Sequence, residues 1–160
     1  MYGESYRTLV LGVGNILLSD EGFGVRAIEY LARTRVLPSD VQVLDGGTLG
    51  MDLLYYLEGV ENLLLVDAVQ ANRPPGTLVR MSGDEVPSFL SLRVSPHQMG
   101  IPDMLAAARF AGCYPQNIVL WGAQPASLEV GLELSPLLAS RLEEVCSHLL
   151  TELRAWGHEV

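Results

Sequence analysis

Four polar residues of this chain, Glu21, Asp45, Asp67 and His97, fall where a run of apolar residues ends or a helical pattern begins. Two carboxylates and one imidazole, Glu21, Asp67 and His97, are a competent ligand set for a divalent transition metal, with positions left for water or substrate. Each residue also has a plainer reading. A glutamate at a helix start favours the macrodipole. An aspartate after a strand commonly caps the following turn. A lone histidine is often a surface or a satisfied group. Spacing alone leaves both readings open. His148 and His158, on or beyond the final helical pattern, read as solvated.

The elements that would position these residues are legible in order. Leu9 to Val13 is a short apolar run, read as a buried strand. Gly12, Gly14 and Asn15 break it, and Ser19, Asp20 and Glu21 gather where Val25, Ile28, Leu31 and Ala32 begin a helical recurrence. Val41 to Leu44 is a second strand, closed by Asp45 and the turn Gly46-Gly47, and Met51 to Leu57 a short helix. Asn62 to Asp67 is nearly continuous in apolar residues, as a central strand covered on both faces requires. Thr77 to Met81 reads as a strand nearer an edge, and Asp84 to Leu92 is ambiguous. His97 precedes a helix with Pro102 and Asp103 in its first turn. Ile118 to Trp121 is another buried strand, and Leu128 to Leu134 alternates as an extended segment would. Ser135-Pro136 starts one long final helix with the stripe Leu138, Leu142, Val145, Leu149, Leu153 and Trp156.

Strands alternating with helices define an α/β sandwich with a mostly parallel sheet. Such sheets hold their sites at the carboxyl ends of the strands, so residues remote in sequence meet in one cleft. The 160 residues suit one domain, 1–160, with no linker or repeat to divide them. A net charge of −9 argues against nucleic acid or an anionic membrane as partner. No apolar run reaches the roughly 18 residues of a membrane span, and no signal sequence is evident, so the cytoplasm is the expected compartment. Cys113 and Cys146 lie in no metal or redox spacing and read as ordinary thiols. Gly12-Val-Gly14 invites a dinucleotide reading, but Leu17 stands where the third glycine belongs and two acids follow. No P-loop, nucleophile elbow or helical His-x-x-x-His occurs.

The segment from Gly12 to Gly24, GVGNILLSDEGFG, resembles the N-terminal signature of the hydrogenase maturation endopeptidases. Asp45 to Gly50, Val66 to Ala68, Ser95 to Gly100 and Gly122 to Pro125 resemble the family's later blocks, in its order. The resemblance implies an α/β sandwich around a twisted, mixed five-stranded sheet. It matches Glu21, Asp67 and His97 to the family's metal-contacting and catalytic residues. It matches Asp45, with Gly46 and Gly47, to a loop associated with substrate selection. The implied activity is removal of a C-terminal extension from the large-subunit precursor of [NiFe]-hydrogenase. Some classifications count these enzymes as aspartic-type peptidases, although a proton-sharing carboxylate dyad would not require His97.

The mechanism so implied is metal-assisted hydrolysis in which the nickel belongs to the substrate, with weak or no binding by the free protein. Which carboxylate acts as base stays open, and a monomer is expected. Two other readings use the same three residues. A nickel-docking maturation protein would lack peptidase activity, and a freestanding metallohydrolase would retain zinc and cleave general peptides.

Overall fold

The computed structural model describes residues 6–47, 52–90 and 101–160. Its centre is a five-stranded sheet in the order β2-β1-β3-β5-β4, with β1 Thr8–Gly12, β2 Val41–Asp45, β3 Asn62–Ala68, β4 Leu78–Ser82 and β5 Asn117–Ala123. The first four in that order pair in parallel, and β4 runs antiparallel on the edge beside β5. The expected mixed, mostly parallel sheet is the one observed. β1 and β3 are buried along their whole length, which is why both read as unbroken apolar runs.

Strand alternation sorts the core into two layers. Leu9, Leu11, Leu63 and Leu65 face α2 Leu53–Tyr56, α3 Glu85–Leu90 and α4 Ile101–Ala111, where Leu53, Val86, Met104 and Leu105 meet them. Val10, Leu64 and Val66 face α1 Phe23–Thr34 and α6 Leu142–Ala155, against Phe23, Ile28, Leu31, Leu149 and Leu153. Among the described residues no helix is long and apolar enough to cross a membrane.

Three expectations are corrected. The segment 128–134 is not a strand but a loop with one bridge, Leu18 to Gly131, because its polar partners lie in the turn before α1 rather than in the sheet. The final helix is two: α5 Pro136–Ala139, and α6 after a break at Ser140 and Arg141, where the Arg141 guanidinium donates to the Gly76 carbonyl at 2.9 Å. The expected cap holds, with the Leu138 N–H donating to Ser135 Oγ. His158 is not solvated. It is 6% exposed, with Nε2 2.7 Å from Thr8 Oγ1 and Nδ1 3.3 Å from Asp40 Oδ1. The chain turns back after α6 and carries this imidazole under the start of β1. Asp84 to Leu92, ambiguous in sequence, contains α3.

Candidate functional site

The site is assembled at the carboxyl ends of β2, β1 and β3. Register places Gly12 opposite Asp45 on one side and Val66 on the other, so Asp67 and Asp45 flank the end of β1. The Val13 N–H continues the ladder to the Val66 carbonyl at 2.9 Å before the chain leaves the sheet. Gly14, at φ +136°, then turns it back, and a Cβ there would lie 1.9 Å from the Glu21 carbonyl oxygen. Only glycine lets the loop fold so closely over the turn that bears Glu21.

Glu21 is the third residue of a 3-10 turn, Ser19–Gly22, leading into α1. That turn packs against β3, the strand that ends in Asp67. Glu21 is 7% exposed and Asp67 is fully buried. Alternation puts Asp67 on the face of β3 shared with Leu63 and Leu65, the face covered by α4. The second turn closes over the first: the Gly46 N–H donates to the Gly12 carbonyl at 2.7 Å, and a Cβ on Gly47 would lie 2.6 Å from the Gly14 carbonyl. The Asp45 carboxylate accepts from the Gly47 N–H at 2.8 Å, a local turn that fixes the loop's shape.

Glu21, Asp45, Gly46, Gly47 and Asp67 are thus gathered at one end of the sheet. His97 lies outside the described residues, as do Thr48 to Gly50 and the block Ser95 to Gly100. Among the described residues no three of His, Cys, Asp and Glu form a group that could hold a metal. Glu21 and Asp67 are buried acids and Asp45 an exposed one, carboxylates able to accept a proton, orient water or add oxygen ligands to a cation presented from outside.

Asp20 is the residue that sequence reasoning passed over. Its carboxylate is fully buried and accepts from the N–H groups of Ala126, Ser127 and Ser135 and from Ser135 Oγ, at 2.7 to 2.9 Å. It ties the loop after β5 to the turn that carries Glu21. In sequence it is only a second acid at a helix start, and its partners lie more than 100 residues away.

The fold is an α/β sandwich that gathers the buried carboxylates of Glu21 and Asp67 at the carboxyl end of a mixed sheet. The description "hydrogenase maturation protease" belongs to the family model that matches residues 25–152. The hydrogenase 2 maturation protease of Escherichia coli is 42% identical over 154 residues, 96% of this chain and 94% of that protein. A hydrogenase expression/formation protein of Rhodobacter capsulatus is 47% identical over 156 residues, 96% of this chain and 74% of that protein. The solved structure of a hydrogenase maturating endopeptidase from E. coli superposes with a TM-score of 0.91 at 42% identity, covering 96% of this chain and 95% of that one. The chain belongs to the hydrogenase maturation protease family, and is accordingly a peptide hydrolase.

Proposed function

We propose that the protein is the endopeptidase that removes the C-terminal extension of the [NiFe]-hydrogenase large-subunit precursor after nickel insertion. The observation that supports this reading is the placement of buried Glu21 and buried Asp67, 46 positions apart in sequence, on packed elements at the sheet's carboxyl end, in a chain of this family. His97 completes the set. The nickel is part of the substrate, held by thiolates of the precursor, and Glu21, Asp67 and His97 add hard and borderline ligands to its open positions. Docking and inspection of the metal then become one event. The scissile carbonyl is polarised, or a water activated, at the metal, and a carboxylate of the site takes the proton. Asp45, Gly46 and Gly47 meet the precursor beside the metal and select it. The enzyme acts in this scheme as a cytoplasmic monomer.

Two carboxylates and one imidazole with no thiolate form a weak cage on their own, so affinity for nickel arises only in the complex. The decisive measurement is cleavage of nickel-loaded and nickel-free precursor by the chelator-treated protein. Cleavage of the loaded form alone is expected, and its loss in Glu21→Gln, Asp67→Asn and His97→Ala with the fold retained. Efficient cleavage of the nickel-free form would refute the mechanism.

A further inference from the structure

Beside the site the chain exposes apolar side chains in an unusual concentration. Leu17 is 56% exposed, Leu128 46%, Val130 88% and Leu132 61%. They come from two segments far apart in sequence that one parallel bridge joins. The Gly131 N–H donates to the Leu17 carbonyl and the Ser19 N–H to the Gly131 carbonyl, both at 2.9 Å. Leu17 flanks one member of the bridged pair, and Val130 and Leu132 flank the other. Ser19 adds a bond from its Oγ to the Glu129 carbonyl at 2.5 Å, and Arg26 donates to the Leu132 carbonyl at 2.8 Å. The feature is therefore a stapled ridge, held from below by the Asp20 carboxylate.

We propose that this ridge is the docking surface for an apolar segment of the precursor flanked by basic side chains, which rests on the precursor being the substrate of the adjacent site. Two observations choose that occupant. The ridge is continuous with the turn bearing Glu21, since Leu17 and Ser19 belong to the same loop, so a chain lying on it enters the site directly. Glu129 and Glu133, both exposed, interrupt the apolar positions on a protein of net charge −9, which complements a positively charged partner. The same acids repel an anionic lipid surface. In a pair of identical copies they would oppose their own counterparts. Exposed leucines and valine on a rigid, pre-ordered backbone lose little freedom on binding, so their burial contributes to affinity nearly undiminished.

The test compares the wild type, Leu17→Ser/Val130→Ser/Leu132→Ser, Glu129→Lys/Glu133→Lys and Val36→Ser on nickel-loaded precursor, with precursor binding and sedimentation measured alongside. Val36 is 95% exposed but follows α1, at the opposite end of the sheet. The triple variant is expected to raise KM and Kd about tenfold or more while kcat stays within about twofold. The charge reversal raises both in the same direction, and Val36→Ser changes neither. Unchanged KM and Kd in the triple variant would overturn the proposal, as would a wild-type dimer that the triple variant dissolves. Were the wild type not to cleave the precursor, the mechanism above would fail and Kd alone would decide: a tenfold loss upholds the ridge, an unchanged value removes it.

Discussion

The two oxygens of Asp20 accept four hydrogen bonds from residues 126–135 and none of them can be replaced by water, since the group is fully buried. Asp20→Asn substitutes an NH2 donor for one acceptor and turns it toward N–H groups that also donate. The expected loss is about 2–4 kcal/mol in urea unfolding, with a raised KM because the ridge is released. Glu152, on α6, makes a contrasting case. Burial alone would raise its pKa, but hydrogen bonds from Arg80 at 2.7 and 3.0 Å and from the Trp121 indole at 2.8 Å outweigh it and hold the carboxyl below its ordinary range. A carboxylate lowered in the folded state stabilises it above the ordinary value of 4.5, and that contribution is lost as pH falls through the lower folded value. Glu152→Gln should therefore cost about 1–2 kcal/mol near pH 7, with the difference from wild type narrowing in urea titrations below pH 4.5.

At the scale of elements, α1 lies unusually close to the sheet backbone. A Cβ on Gly24 would sit 2.0 Å from the Val66 carbonyl and 2.4 Å from that of Val13, neither of which can yield without moving β3 or the glycine loop. Gly24→Ala should destabilise by about 3 kcal/mol or more, or prevent folding, and should shift the Glu21 turn relative to Asp67. Gly83 has no neighbour within 4 Å of such a Cβ and only its φ of +61° to oppose the change, so Gly83→Ala should cost about 1–2 kcal/mol. Comparison of the two by thermal melting separates packing against backbone from conformational strain.

Across the whole molecule the two ends of the described chain are locked together. His158 bridges Thr8 and Asp40, and Asn62 and Asn117 extend the network along the amino ends of β3 and β5 through bonds of 3.0 and 2.8 Å. The candidate site lies at the carboxyl ends, and this network fastens the amino ends. His158→Ala should cost about 1–3 kcal/mol while leaving kcat on the precursor unchanged, a result read by paired unfolding and cleavage assays. The core can be probed chemically as well. Burial pushes the Cys146 thiol up to about 12, and its sulfur reaches the Ala27 carbonyl at 3.6 Å, whereas Cys113 is half-buried. A thiol reagent at pH 8 should modify Cys113 in the native protein and Cys146 only on unfolding.

The sequence determined most of the scaffold because its signals are local. Apolar runs at Leu9, Asn62 and Ile118 are long enough to demand central strands, and the chain from Gly12 to Gly24 is dense in residues that only a tight loop and a helix start accommodate. The shared position of Glu21, Asp45 and Asp67 was legible for the same reason: each ends or opens an element, and a parallel sheet gathers such ends. Alternation at Leu128 to Leu134 and the position of His158 misled, because hydrophobic period and distance along the chain carry no information about which remote groups supply hydrogen bonds. Tertiary structure alone decided that Asp20 is an internal staple, that Gly131 meets Leu17, and that β4 runs against its neighbour β5. Each of these depends on partners tens of residues away, brought within 3 Å by packing that no single segment specifies.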